Sequence, residues 1–161
     1  MKFFEILKEL FSHQPPLLGN FVKLKKLHED AIIPTYSKKG DACCDVYSLE
    51  SVKLLPGQRR VFRTGIALGI PNGYEVQIRP RSGLAAKNGF TILNSPATID
   101  SGYIGEILIV GINMGQSDLI IDKGDRIAQM CLKLVHIMDF VEVDKLSNTE
   151  RNTGGFGSTG K

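Results

Sequence analysis

Turn-forming residues recur along most of this chain at short intervals. Pro56-Gly57, Pro71-Asn72-Gly73, Asn88-Gly89, Ser101-Gly102, Met114-Gly115 and Lys123-Gly124 place a glycine every nine to sixteen residues. Such intervals have room for one or two strands and a turn, and none for a long helix. Between the turns the apolar residues alternate. Tyr74, Val76 and Ile78 fall on one side, with Glu75, Gln77 and Arg79 on the other. Val61, Arg63 and the set Ile66, Leu68 and Ile70 behave alike, and Ile127, Gln129, Cys131 and Lys133 alternate with Ala128, Met130, Leu132 and Leu134. Residues 107–112 (Ile-Leu-Ile-Val-Gly-Ile) are apolar at both parities, which predicts a strand buried on both faces. After residue 20, helical character is confined to one short turn expected at 83–88. Period-two alternation with frequent turns specifies an all-β sandwich or barrel.

The two ends read differently. In residues 2–12, Phe3, Ile6, Leu7 and Leu10 stand at helical spacing, with Glu5, Lys8 and Glu9 opposite. Two acids inside this segment argue against a secretory or transit signal. Pro15 and Pro16 stop the helix, and Gly19-Asn20 reads as a hinge. The expected divisions are a helical extension over 1–20, a β domain over 21–146 and a mobile arm over 147–161. The arm ends in Gly/Ser/Thr-rich sequence with one aromatic residue, Phe156.

Composition narrows the partners. No apolar run approaches the ~20 residues that span a bilayer. Twenty basic and 17 acidic residues give a net charge of +3, too mild for stable nucleic-acid coating. Six bases and one acid fall within residues 58–87, a stretch suited to a small polyanion or to a solvated face. The three cysteines, Cys43, Cys44 and Cys131, imply no disulfide framework and point to a reducing, cytoplasmic setting. Seventeen glycines are a surplus, roughly 11% against a usual ~7%, and mean tight turns or backbone brought close to a ligand.

Five stretches carry chemistry. Asp41-Ala-Cys-Cys-Asp45 holds two acids four apart, a spacing that suits either the water shell of a hard cation or a solvated loop. Arg79-Pro-Arg81-Ser82-Gly83 leads into the short helical turn, so backbone N–H groups and an arginine converge as in phosphate sites. Asn94-Ser-Pro-Ala-Thr-Ile-Asp100-Ser-Gly-Tyr103 sets an acid and a tyrosine on a tight corner, where a carboxylate can deprotonate water or merely bond its own backbone. Gly124-Asp-Arg-Ile-Ala-Gln129 puts an amide in an apolar strand, where it requires a partner. Arg151 to Gly160 supplies glycines, hydroxyls and an arginine for phosphates, plus one ring able to stack on a base.

Taken in order, these stretches resemble the motifs of the homotrimeric dUTP pyrophosphatases. Pro80-Arg-Ser-Gly-Leu84, Thr98 to Glu106, Gly124 to Gln129 and Gly154 to Gly160 carry the resemblance, which extends over residues 22–160. It implies a jelly-roll or distorted-barrel β fold, Mg²⁺, and hydrolysis of dUTP to dUMP and pyrophosphate. That reaction limits uracil in DNA and supplies dUMP for dTMP synthesis. It also implies active sites shared among three chains. By that resemblance Asp100 is the base that activates water, and Tyr103 packs under deoxyribose and excludes a 2′-hydroxyl. Asn94 lies on the uracil-pairing hairpin. Arg81, Ser82 and Gly83 contact phosphates, Gln129 sits near the α-phosphate, and Asp45 anchors the water shell of Mg²⁺. Phe156 covers uracil, while Arg151, Gly157, Ser158 and Thr159 serve the tail's contacts with substrate.

The chain also departs from the pattern. Asp-Ala-Cys-Cys-Asp-Val stands where Ser-Ala-Gly-Tyr-Asp-Leu is usual, so Cys43 replaces a glycine and Asp41 adds a charge. Ala97 stands in place of glycine and Gly102 in place of a common aspartate. If residue 97 needs a positive φ, an alanine there costs about 1 kcal/mol or more. Two alternatives share the scaffold. One is a dCTP deaminase, which uses a glutamate base where this chain has Val110. The other is a non-catalytic nucleotide-sensing regulator.

Overall fold

The computed structural model describes residues 21–155. The expected helix over 1–20 and the residues Phe156, Gly157, Ser158 and Thr159 lie outside them. The described chain forms ten strands and one short helix. The strands are β1 (Lys23–Lys26), β2 (Cys44–Tyr47), β3 (Val52–Leu54), β4 (Arg59–Gly69), β5 (Tyr74–Arg79), β6 (Phe90–Ile92), β7 (Ala97–Asp100), β8 (Glu106–Asn113), β9 (Leu119–Ile121) and β10 (Arg126–Leu134). The helix, α1, is Ser82–Asn88. Two four-stranded sheets, ordered β1-β4-β8-β6 and β2-β10-β5-β7, are joined by the small pair β3-β9. The strand neighbours are far apart in sequence, and the fold is the all-β jelly roll expected.

The period-two pattern becomes two inner faces. Phe62, Ile66, Leu68, Phe90, Ile107 and Ile109 come from one sheet, and Val46, Val76, Ile78, Ala128 and Met130 from the other; all are buried in one core. Phe62 and Phe90 meet edge to face, centroids 5.8 Å apart, the arrangement that aromatic quadrupoles favour. Gly111 explains how they fit: a Cβ there would lie 2.4 Å from the Phe90 ring and 2.8 Å from Phe62. Asn113 is a fully buried polar residue, and its amide bonds the carbonyls of Leu54 and Ser117 while its Oδ1 accepts from Gly115 N–H.

One expectation fails. Strand β8 is not buried on both faces: it alternates, with Ile107, Ile109 and Asn113 inside and Leu108 exposed. Its outer row, Leu108, Val110 and Ile112, is apolar, and exposed Val61 of β4 stands opposite Val110. The apolar composition was read correctly, but the second face is uncovered within one chain.

Candidate active site

The second sheet carries the site on its outer face. In β10, Gln129 pairs with Asp45 of β2 on one side and with Arg79 of β5 on the other. Paired residues share a face, so an acid, an amide and a base form one polar row. Beyond Arg79 the chain turns at Pro80 and enters α1. Arg81 caps α1 in an extended conformation, with no side-chain capping bond; the first intrahelical donor is Ala85 N–H, to Arg81 C=O. Gln129 Nε2 donates to the Pro80 carbonyl at 2.8 Å. That is the partner its place in an apolar strand demanded, and it ties the phosphate-type turn to β10.

Asp45 is the hub. Arg81 Nε donates to its Oδ1 at 2.8 Å, and Arg126 Nη1 and Ser37 Oγ donate to its Oδ2 at 3.2 and 3.1 Å. The carboxylate is 12% exposed and Arg81 27%. Arg81 is held from a second side by Nη1, which donates to the Arg126 carbonyl at 3.1 Å. Arg126 is part of this clamp through both its guanidinium and its carbonyl. Only the register of β2 on β10, across 81 residues of sequence, could have revealed that.

Around this hub lies a pocket of about 290 Å³ lined by Ser37, Asp41, Ala42, Cys43, Asp45, Arg81, Ser82, Gly83 and Gln129. The structure thus joins three of the five stretches. Among the described residues no aromatic ring lines it. Of the basic stretch 58–87, Arg81 lines this pocket, while Arg60 faces Glu50, Arg63 faces Glu106, and Arg79 turns along its own strand to Gln77. Beside the pocket, burial pushes the Cys44 thiol up from its ordinary pKa.

Asp100 and Tyr103 stand elsewhere. Asp100 ends β7 opposite Glu75, four residues along β5 from Arg79. At ~3.3 Å per residue this is about 13 Å of strand from the Gln129 row. Tyr103 N–H donates to the Asp100 carbonyl at 3.0 Å, closing the corner, and Tyr103 Oη donates to the Glu106 carbonyl at 2.8 Å. The ring lies against Gly105, where a Cβ would come within 2.8 Å of it. Glu106 in turn accepts from Gly65 N–H and Arg63 Nε, which fixes the corner on β4. Asn94 is exposed in the β6–β7 turn.

The departures from the motif pattern are accommodated. Among the described residues Asn152 is the non-glycine with positive φ, so Ala97 and Cys43 carry no such strain. The expected cost at Ala97 is absent because that residue begins β7 in extended pairing with Ile78. A Cβ at Gly102 would meet nothing within 4 Å. Near the carboxyl end, Thr149 and Asn152 exchange reciprocal bonds at 2.9 and 3.0 Å, and Arg151 Nε bonds the Gly154 carbonyl. The stretch expected to be mobile therefore contains a defined turn. The cysteines also require correction. Cys43 and Cys131 are joined by a disulfide, which their separation of 88 residues concealed. Among the described residues no helix is long and apolar enough to cross a membrane.

The jelly roll thus carries an arginine-bearing polar cleft, with the acid–tyrosine corner set apart from it on the same sheet. Comparisons resolve the class. The dUTPase family model matches residues 29–160. Deoxyuridine 5'-triphosphate nucleotidohydrolase of Clostridioides difficile is 50% identical over 139 residues, covering 86% of this chain and 97% of that protein. Its counterpart from Nautilia profundicola is 51% identical over 140 residues, with 87% and 99% coverage. Among solved structures, the dUTPase of Staphylococcus bacteriophage 80alpha with dUPNHPP superposes with a TM-score of 0.82 at 29% identity, over 88% of this chain and 99% of that one. A mutant dUTPase of the S. aureus phage phi11, described with a structural Mg(II) ion, gives 0.73 at 25% identity, over 80% and 100%. This chain belongs to the dUTPase family.

Proposed function

We propose that this chain hydrolyses dUTP to dUMP and pyrophosphate in sites completed by three copies of itself. The observation that carries the reading is the pocket in which Arg81, Ser82, Gly83, Asp45 and Gln129 converge. It has cationic and small polar walls for a phosphate chain and, among the described residues, no ring to hold a base. Its volume lies at the low end for a small-molecule site. Base and sugar contacts must come from outside it. Tyr103 and Asn94 supply them from the β7–β8 and β6–β7 corners of a second copy, and Phe156 of a third copy covers the uracil.

The chemistry follows from these positions. Asp100 takes a proton from a water aligned with the α-phosphorus. As the bond to pyrophosphate breaks, Arg81 receives the charge that develops on the phosphate oxygens, joined by Arg151, Ser158, Thr159 and the Gly157 backbone of the tail. Asp45 keeps Arg81 in place, and Gln129 fixes the turn before Ser82. The fixed Tyr103 ring leaves no space for a 2′-hydroxyl. Closure of residues 147–161 over the nucleotide excludes bulk water.

The donor set fits a hydrated Mg²⁺ carried by substrate. Among the described residues no three His, Cys, Asp or Glu form a direct cage. Mg²⁺ bound with phosphates uses one or two carboxylates and keeps several waters. Asp45 has one of its roughly four acceptor positions left after its three donors. Asp41 lines the same pocket and bonds only Lys38 N–H through Oδ2 among the described residues. When bound, Mg²⁺ supplies neutralisation of the triphosphate charge.

Assembly is supported by apolar surface. Val61 and Leu108 are exposed on one sheet, and Ile137, Met138, Phe140 and Val141 are exposed after β10. Large apolar side chains left exposed in one chain in such number are suited to an interface. Removing dUTP limits uracil incorporation into DNA and provides dUMP for dTMP synthesis. The test is pyrophosphate release from dUTP, UTP, dCTP and dTTP, with ammonia release monitored for dCTP. Hydrolysis restricted to dUTP is expected. Equal turnover of UTP removes the role of Tyr103, and ammonia from dCTP replaces the hydrolase by a deaminase.

A further inference from the structure

The Cys43–Cys131 disulfide lies on the same face as the phosphate pocket. Asp45 pairs with Gln129 and Cys44 with Met130. The next step of this antiparallel ladder sets Cys43 opposite Cys131, with Cα atoms 4.5 Å apart. Side chains two apart share a face, so Cys43 stands beside Asp45 and Cys131 beside Gln129. Cys43 is itself part of the pocket wall. The two ends of the bond differ in support. Cys131 lies within the nine-residue β10, flanked by β2 and β5. Cys43 precedes β2, an edge strand of four residues, and follows a loop closed by Asp41 N–H to Lys38 C=O and Asp45 N–H to Thr35 C=O.

We propose that this disulfide is a redox-controlled staple that positions Asp45, and through it the Arg81 guanidinium, for phosphate binding. It rests on the reading of this pocket as the phosphate site. The bond fixes the edge segment carrying Asp45 to the central strand carrying Gln129, so the Asp45–Arg81 contact forms without further ordering. Reduction returns that ordering to the binding step and weakens nucleotide affinity. A small thiol attacks Cys43 Sγ, the accessible end, because Cys131 is 2% exposed. A mixed disulfide forms on Cys43, and Cys131 leaves and takes a proton. A second thiol releases Cys43, giving two protein thiols and one small-molecule disulfide. The reverse uses a small-molecule disulfide as oxidant. Cys44 points to the other face, buried against the Met130 carbonyl, and takes no part.

The full chain, purified in air, is alkylated under denaturing conditions and weighed before and after reduction. One modified cysteine before reduction and three after are expected; three before reduction overturns the proposal. Binding of an α,β-imido analogue of dUTP is then measured by calorimetry in both redox states. Reduction is expected to weaken it roughly three- to tenfold, below the ~100-fold that a full ångström of misplacement costs. Re-oxidation with a small disulfide restores it, and steady-state rates show the change in KM more than in kcat. Cys43→Ala and Cys131→Ala each give the reduced value in both states. Equal affinities in the two states, or cysteine variants that still respond, overturn the staple. If Arg81→Ala binds the analogue as tightly as the natural chain in both states, the phosphate-site reading beneath it falls too, whatever the thiol count.

Discussion

Asp45→Asn removes one charge from the hub of the pocket while keeping its shape. The natural carboxylate accepts from Arg81 Nε at 2.8 Å, Arg126 Nη1 at 3.2 Å and Ser37 Oγ at 3.1 Å. An amide has one acceptor oxygen, so its nitrogen must face an arginine donor to donor. Losing the charge that both arginines face, whichever amide atom meets each, costs about 1.5–2 kcal/mol at the largely buried Arg81, as charge-assisted bonds do. The Arg126 side chain is 49% exposed. Its share is screened to about 0.5 kcal/mol. The sum, about 2 kcal/mol, lowers the melting temperature of a domain this size by roughly 5–8 °C. Scanning calorimetry at one fixed protein concentration reads this, since assembly makes the midpoint concentration-dependent. The same variant should lose on the order of 100-fold in kcat/KM for dUTP, because Arg81 is no longer aligned. A midpoint within about 1 °C of the natural chain, with pyrophosphate release unchanged, would falsify the assignment of Asp45 as the hub.

Four further outcomes are expected. Asp100→Asn should lower kcat by at least ~100-fold yet still bind the imido analogue; an active variant means another group is the base. Leu108→Glu should leave the fold intact, because the side chain is already exposed in one chain, but dissociate the assembly in light scattering. A trimer that survives it places the interface elsewhere. Gly111→Ala should destabilise by about 1–3 kcal/mol in urea titration, because its Cβ overlaps Phe90 and Phe62; a neutral result means the two rings can shift. Deleting residues 151–161 should reduce kcat/KM by about 100-fold or more while sparing assembly. Full activity of the shortened chain removes the tail from the site.

The local pattern carried a large share of this architecture. Alternation with period two and glycine-marked turns identified β4, β5 and β10, because side-chain direction along a strand is a property of neighbouring residues. Order along the chain also exposed the five motifs, and the Arg81-Ser82-Gly83 turn appeared as α1 where it was expected. What local pattern missed is non-local. Strand β8 was read as doubly buried because composition reports an apolar face and not what covers it. The cysteines imply no disulfide framework in sequence because the partnership of Cys43 and Cys131 depends on the register of β2 against β10. The backbone at Ala97 was suspected of strain because only its extended pairing in β7 reveals its conformation.

The sequence by itself determined the β class, the family resemblance and the chemical types available for a phosphate reaction. Each follows from short-range periodicity or from residue identity in order. Tertiary structure decided which of those residues meet. It brought Asp45, Arg81, Arg126 and Gln129 together and bonded Cys43 to Cys131 beside them. It also set Asp100 about 13 Å of strand away on the same sheet. These outcomes depend on cross-strand register between residues 25 or more apart in sequence. Register is a collective property of two packed sheets, and no window of the chain encodes it alone.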